Sequence, residues 1–219
     1  GNLLLDLLSG AEVIFVPKDQ RDQALVEITL KAEAENRKPY LIPYGGSNAI
    51  GAMGYHQAML ELHQQGFDPD WIVFATSSGG TQAGMLLGAR ETGSQAKILG
   101  ISVDKPAREF CGTIAEIANA GAELLRIETQ FRPEEILVND DYCSAGYGVM
   151  TPAEKEAILL FARHEAILLD PVYTGRAAAG LIDLIRQGFF KPDEKVLFWH
   201  TGGTPALFAE PYRGELLGS

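Results

Sequence analysis

The sequence is poor in cysteine and has no long apolar run. Its 219 residues include only two cysteines, Cys111 and Cys143, which lack the paired spacing typical of structural metal sites. We therefore expect free thiols, no bound metal and a reducing compartment, the cytoplasm. No apolar run reaches the roughly 20 residues that a membrane helix needs, and the sequence shows no basic-then-apolar export signal. Neither a membrane nor a disulfide framework is expected.

Positive charge is also scarce. Lysine and arginine total 18 against 29 aspartate and glutamate residues, which gives a formal net charge of −11. Such a field repels a phosphate backbone, so nucleic acid is excluded as a partner. Hydrophobic residues make up 46% and charged residues 21%, which is ordinary for a globular protein of one domain or two small ones.

What the sequence does contain is an alternation of short apolar runs and amphipathic stretches, the pattern of repeated β-α units. We predict an α/β fold with an open, mostly parallel twisted sheet and flanking helices. Strands are expected at 12–17, 39–43, 71–75, 97–103 and 195–200, with weaker candidates at 136–139 and 167–169. Helices are expected at 20–36, 49–65, 81–92, 107–120, 152–164 and 175–187.

Two features bear on how the chain is organised. It opens directly on an apolar helical pattern, Asn2 to Leu8, so we expect the sequence to belong to a longer protein. The turn Gly45, Gly46, Ser47 and Asn48 gathers helix-breaking and capping residues, which makes it the best place for a boundary between lobes.

A candidate anion site follows the apolar run at 71–75. The loop 78–81, formed by Ser78, Gly79, Gly80 and Thr81, leads into a helix. Glycine lets a ligand approach the backbone, the first N–H groups of a helix have no intrahelical acceptor, and hydroxyls add donors. The loop lacks the Walker lysine and the dinucleotide fingerprint, so a single phosphate monoester fits better. The alternative is a tight turn that uses glycine only for its geometry.

A second glycine-rich turn, at 200–204, follows another strand. Because ligands bind at the carboxyl ends of parallel strands, Thr201 and Thr204 are expected near the loop 78–81. His200 invites assignment as a base, but a histidine that ends an apolar strand is more often a packed structural residue.

Two tyrosines lie in unusual surroundings. Tyr173 precedes a helix, and Tyr147 is flanked by Gly146 and Gly148. Tyrosines so placed can stack on a flat ring, move a proton or simply anchor packing, and the pattern does not choose among these roles.

Six motifs in order resemble the D-cysteine desulfhydrase and 1-aminocyclopropane-1-carboxylate (ACC) deaminase family. They are GNLLLD at 1–6, IPYGGSN at 42–48, GAMGY at 51–55, SGGTQAG at 78–84, DPVYTGR at 170–176 and HTGGTPALF at 200–208. The resemblance implies a pyridoxal-phosphate enzyme with the tryptophan-synthase-β-like fold. It also implies a homodimer that acts on a small amino acid, with residues 1–46 the remainder of a smaller lobe and residues 47–219 the larger, cofactor-binding lobe.

The resemblance also implies roles for individual residues. Ser78, Gly79, Gly80 and Thr81 would hold the cofactor phosphate, and Thr201 would face the pyridine nitrogen. The catalytic residues would be Tyr173, beside the ring, and Tyr147, on the substrate side.

One departure concerns the lysine that binds the family's cofactor covalently. It lies in an N-terminal segment that also carries a Ser-Asn turn for the substrate carboxylate, and this sequence lacks that segment. None of the eight lysines matches the family's lysine motif: Lys18, Lys31, Lys38, Lys97, Lys105, Lys155, Lys191 and Lys195. We therefore expect the C-terminal part of the enzyme, inactive by itself.

Thr174 favours the desulfhydrase side, because deaminases of the family carry glutamate at that position. The implied reaction is α,β-elimination that yields pyruvate, ammonia and sulfide. ACC deaminase and cysteate sulfo-lyase remain alternatives within the family. A non-catalytic module that holds a phosphorylated ligand is the alternative outside it, and a Rossmann-type nucleotide binder is disfavoured by the missing fingerprint.

Overall fold

The computed structural model describes residues 1–210 and 212–218, which form two compact units, Gly1–Gly45 and Gly46–Ser219. The second unit contains a four-stranded parallel sheet with helices on both faces. This confirms the predicted α/β class. The assignment of the two units to a smaller and a larger lobe of a family enzyme stays a prediction.

The sheet has the strand order β3-β2-β1-β4, in which the first strand in the chain is central. Its strands are β1 (Trp71–Thr76), β2 (Lys97–Ser102), β3 (Leu137–Asn139) and β4 (Val196–Phe198). Val73 pairs with Leu99 on one side and with Phe198 on the other. This register brings the chain segments that follow β1, β2 and β4 to the same edge of the sheet.

The helices of this unit lie before, between and after the strands, and the apolar spacing predicts all of them except the last. They are α3 (Ala49–Gln64), α4 (Gly80–Thr92), α5 (Ala107–Leu125), α6 (Pro152–Glu165), α7 (Thr174–Arg186) and α8 (Tyr212–Leu217). Capping residues set two of the starts: Asn48 accepts the N–H of Gly51, and Thr151 accepts that of Ala153 ahead of the first-turn Pro152. No helix among the residues described here is both long and apolar enough to cross a membrane.

The core is built on the two faces of β1, whose residues are all buried. Ile72 and Phe74 pack with Met85 of α4 on one face, and Val73 packs with Ala177 and Leu181 of α7 on the other. A strand covered on both faces reads as a continuous apolar run, which is why the sequence identified β1 readily.

Helices α3 and α4 pack closely because α4 presents glycines to its neighbour. A Cβ added at Gly84 would lie 2.2 Å from the carbonyl oxygen of Ala52, and one added at Gly88 would lie 2.4 Å from Cβ of Met59. This close contact fixes the start of α4, where the loop 78–81 lies, against the start of α3.

The first unit contains α1 (Asn2–Leu8) and α2 (Arg21–Ala34), joined by irregular chain. The strands expected at 12–17 and 39–43 are not formed, and Phe15 is 80% exposed. Strands need hydrogen-bonded neighbours, and neither segment pairs with another strand among the described residues. Residues 167–169 in the second unit are likewise irregular, whereas β3 forms within the weaker candidate at 136–139.

We expect the amides of residues 12–17 to exchange with solvent much faster than those of 71–75. Exposed backbone that is not hydrogen-bonded in a sheet opens at little free-energy cost, whereas β1 lies in the core. Hydrogen-exchange mass spectrometry of a verified monomer measures both segments together. Equal protection of the two segments would contradict the exposure seen in the structure.

Candidate functional site

Polar loops gather at the carboxyl edge of the sheet. The loop 78–81 follows β1, the turn 200–204 follows β4, and the start of α7 approaches the end of β2, where Arg176 donates to the carbonyl oxygen of Val103 at 2.7 Å. Because β1 pairs with both β2 and β4, these segments are neighbours. This edge is where ligands bind in open α/β sheets.

The loop 78–81 forms the N-terminus of α4. Gly79 caps the helix with a left-handed backbone, φ 92°, and a Cβ there would lie 3.2 Å from Cγ1 of Ile114. Within the described part of the chain, the amides of Ser78, Gly79 and Thr81 have no acceptor. Free amides, two nearby hydroxyls and the positive end of the helix dipole together favour an anion.

Ser47 also belongs to this site, a residue that the sequence did not assign. Its hydroxyl accepts the N–H of Gly80 at 3.0 Å and donates to the hydroxyl of Ser78 at 2.7 Å. A Cβ at Gly80 would lie 2.7 Å from that same oxygen. The sequence shows the capping turn before α3, but it does not show that this turn contacts a loop 31 residues later.

Thr201 lies in the turn after β4, half-buried, and its hydroxyl has no protein partner within residues 1–210 and 212–218. The turn packs against Asp170: a Cβ added at Gly203, where φ is 93°, would lie 2.7 Å from Cγ of that aspartate. A free, neutral hydroxyl is thus held next to the segment that starts α7.

Tyr147 and Tyr173 form a pair. Their hydroxyl oxygens are 2.7 Å apart, and their rings meet edge to face with centroids separated by 5.9 Å. One hydroxyl donates to the other, so the pair can share or relay a proton. Tyr147 is 54% exposed, which leaves its ring accessible to a ligand.

Asp170 orients Tyr173 by capping α7. Its fully buried carboxylate accepts the N–H groups of Val172, Tyr173 and Thr174 and the hydroxyl of Thr174, all at 2.7–2.8 Å. Several donors satisfy this buried charge. Thr174 is therefore turned toward Asp170, and its effect on the site passes through that carboxylate.

Arg176 holds the loop that carries Tyr147. The guanidinium is completely buried and donates to the carbonyl oxygens of Gly146 and Val149 at 3.1 and 2.7 Å, and to Glu154 Oε1 at 2.7 Å. Tyr212 adds a bond from its hydroxyl to the carbonyl oxygen of Gly148. Both flanks of Tyr147 are therefore fixed by side chains distant in sequence.

Glu154 contributes a pH dependence to this network. Burial alone raises the pKa of its carboxyl, but hydrogen bonds from Thr151 and Arg176 outweigh burial and leave the pKa below its ordinary value of 4.5. A folded-state pKa below the unfolded one means that the ionised carboxylate stabilises the fold above about pH 4.5. That contribution is lost as the pH falls through the folded-state value.

We therefore expect the free energy of unfolding to fall as the pH is lowered from about 4.5 through the folded-state pKa of Glu154, with a smaller slope in Glu154→Gln than in wild type. Glu156→Gln is the matched control, because Glu156 pairs with Arg186 on the same two helices but is exposed. Denaturant titration across this range measures the slopes. Equal slopes for wild type and Glu154→Gln would contradict a stabilising role for the ionised carboxylate.

The lysines and cysteines of the second unit differ in where they lie relative to the loop 78–81. Lys97 and Lys195 lie at the amino ends of their strands, away from the loop 78–81. Lys105 follows β2 on the site's side of the sheet, with its ammonium 5.5 Å from the ring centroid of Phe110. Cys111 and Cys143 are free, and burial raises the pKa of both thiols, which disfavours a thiolate.

Taken together, the donors suit a phosphate ester joined to a flat, weakly basic ring. The loop 78–81 offers amides and hydroxyls to a dianion, Thr201 offers a neutral hydroxyl, and the tyrosine pair offers ring faces and a transferable proton. These roles stay predictions, but the residues fit pyridoxal phosphate.

Several solved structures have a fold similar to that of this chain. An ACC deaminase homologue is 35% identical, with a TM-score of 0.87 over 100% of this chain, which spans 66% of that protein's chain. The processed form of threonine deaminase isoform 2 from Solanum lycopersicum is 14% identical, with a TM-score of 0.59. The match covers 100% of this chain and 60% of the threonine deaminase chain. A hydrogen sulfide-producing enzyme from Fusobacterium nucleatum is 17% identical, with a TM-score of 0.56 over 93% of this chain and 66% of its own.

At identities of 14% and 17% the last two likenesses show a shared fold alone. The family follows from the sequence itself, because the profile described as "Pyridoxal-phosphate dependent enzyme" matches residues 1–202. That match covers almost the whole chain and, together with the 35% identity to the ACC deaminase homologue, confirms the resemblance and the cofactor that it implies. The chain belongs to the pyridoxal-phosphate-dependent enzyme family.

Proposed function

We propose that the protein is a lyase of the D-cysteine desulfhydrase type, which converts D-cysteine and water to pyruvate, ammonia and hydrogen sulfide. The observation that carries the proposal is the Tyr147–Tyr173 hydroxyl pair, near the carboxyl edge of the sheet that also carries the loop 78–81 and the turn with Thr201. The 35% identity to an ACC deaminase homologue over the whole chain supports this branch of the family.

Each part of the site has a task in this proposal. Bound pyridoxal phosphate supplies an electron sink for the pair left at the substrate α-carbon when its proton is removed. The amides and hydroxyls of the loop 78–81 hold the phosphate, and the Thr201 hydroxyl orients the ring nitrogen without protonating it. The tyrosine pair holds or moves a proton at its hydroxyl oxygens, beside the substrate.

Thr174 supports sulfide elimination over ring opening. In the family resemblance the deaminases carry glutamate at this position, and here a neutral hydroxyl donates to Asp170. No second carboxylate is therefore provided next to Tyr173.

We include a small amino acid as substrate, a homodimer and a cytoplasmic location in the same proposal.

A substrate panel tests the proposal. The protein expressed from its complete coding sequence is incubated with D-cysteine, ACC and L-cysteate, while pyruvate, sulfide and 2-oxobutanoate are measured. We expect sulfide and pyruvate in equal amounts from D-cysteine, and a large loss of rate in Tyr147→Phe and Tyr173→Phe. Production of 2-oxobutanoate from ACC without sulfide from D-cysteine would favour ACC deaminase, the second candidate, which the identity to an ACC deaminase homologue also supports.

The lysines of this chain are a separate question. We infer that none of the eight supplies the family's cofactor-binding amine, because none occupies the family's lysine motif, and we expect the 219 residues alone to be inactive. Borohydride reduction followed by peptide mapping tests this inference, with Lys105 as the position to inspect on the site's side of the sheet. Cofactor fixed to one of the eight, with activity lost on its replacement, would prove the inference wrong.

A further inference from the structure

The chain leaves the sheet two residues before Thr201. The bond from the amide of Trp199 to the carbonyl oxygen of Val73, at 2.9 Å, lies at the end of the β1–β4 pairing. Beyond it, Gly202 and Gly203 both have positive φ, 100° and 93°, a region that glycine enters freely. Pairing within the sheet therefore does not fix the position of Thr201.

The side chain of His200 makes two hydrogen bonds where the chain leaves the sheet. Its Nδ1 lies 3.1 Å from the amide nitrogen of Gly202, and its Nε2 lies 3.0 Å from the carbonyl oxygen of Leu168. An amide can only donate and a carbonyl can only accept, so Nδ1 carries the lone pair and Nε2 carries the proton. Both nitrogens are engaged, which removes the general-base role that the sequence invited.

These bonds connect two parts of the candidate site. His200 joins the turn to Leu168, and Gly203 packs on Asp170 two residues later. Thr201 therefore lies between two residues, His200 and Gly203, that both contact the segment 168–170. That segment leads into Tyr173. The distance between the Thr201 hydroxyl and the tyrosine pair depends on both contacts.

We propose that His200 is a positioning residue, which uses its neutral Nε2–H imidazole to hold Thr201 at the pyridine nitrogen of the cofactor. The proposal rests on the proposed function, since it takes Thr201 as the ring-facing residue. His200 itself touches neither cofactor nor substrate. It acts by restricting the turn, so its removal should change cofactor binding and spectrum more than it changes global stability.

Three substitutions separate the two bonds. Asn at position 200 keeps an acceptor near the place of Nδ1, Gln keeps a donor near the place of Nε2, and Ala removes both. In the protein expressed from its complete coding sequence, we expect His200→Ala to weaken pyridoxal phosphate affinity about 3- to 10-fold and to shift the absorption maximum of the bound cofactor. We expect His200→Asn and His200→Gln each to restore part of both properties. His164→Ala, an exposed histidine on α6, is the matched control without effect.

The imidazole tautomer is measured independently by ¹⁵N chemical shifts, and we expect the Nε2–H form. An Nδ1–H tautomer, or wild-type affinity and spectrum in His200→Ala, would overturn the proposal. If the alanine variant does not fold, wild-type affinity and spectrum in both His200→Asn and His200→Gln would overturn it.

Thr201→Val distinguishes failure of the proposal from failure of the proposed function. An unchanged affinity and spectrum in Thr201→Val would overturn the ring assignment of Thr201, and the positioning role with it. A changed spectrum in Thr201→Val beside an unchanged one in His200→Ala would overturn the positioning role alone.

Discussion

Replacing Arg176 with methionine is expected to lower the free energy of unfolding by about 3–5 kcal/mol. The substitution leaves the buried Glu154 carboxylate without its cation, and it leaves the carbonyl oxygens of Val103, Gly146 and Val149 without their donor. Because two of those carbonyls flank Tyr147, cofactor binding and activity should fall together with stability. Urea titration and cofactor absorbance measure the two effects.

Arg186→Met is the matched control on the same helix. Arg186 pairs with Glu156 of α6, as Arg176 pairs with Glu154, but Arg186 and Glu156 are 56% and 47% exposed. An exposed pair contributes about 0–1 kcal/mol, so the control should lose little. Similar losses in the two variants would show that burial of the Arg176 network has no special energetic consequence.

Replacing Gly79 with valine is expected to weaken pyridoxal phosphate binding by about 100-fold or more, the equivalent of one or two hydrogen bonds to a charged group. The new Cβ would lie 3.2 Å from Ile114, and a branched residue at φ 92° strains the loop whose amides face the anion. Thr81→Val, which removes one hydroxyl donor and keeps the side-chain shape, should cost about 10-fold.

Gly93→Val separates backbone strain from blocked binding. Gly93 caps the other end of α4 with φ 72°, and a Cβ there meets nothing within 4 Å. We expect reduced thermal stability with normal cofactor affinity in this variant. Normal cofactor retention in both Gly79→Val and Thr81→Val would remove the phosphate role from the loop 78–81.

The sequence predicted best the elements whose apolar pattern or capping residues reflect their environment in the fold. Strand β1 is an uninterrupted apolar run because both of its faces are covered, and Thr151 with Pro152 marks the start of α6. The segments at 12–17 and 39–43 also contain β-branched or aromatic residues, but they have no strand partner among the described residues. Composition therefore predicted a strand where pairing, which is not a local property, was missing.

The candidate site shows the same division. The loop 78–81 was found because glycine and hydroxyl residues between a strand and a helix are a local signal. Ser47 and the Arg176–Glu154 pair gave no comparable signal, since their partners lie 22 to 33 residues away in the chain. The neutral tautomer of His200 likewise depends on Leu168, 32 residues earlier.

A crystal structure of the protein expressed from its complete coding sequence, grown with pyridoxal phosphate, tests most directly whether the loop 78–81 binds the cofactor. We expect phosphate oxygens about 2.7–3.2 Å from the amide nitrogens of Gly79 and Thr81, with the ring nitrogen facing Thr201. An ordered cofactor whose phosphate lies away from the N-terminus of α4 would contradict the assignment of this loop.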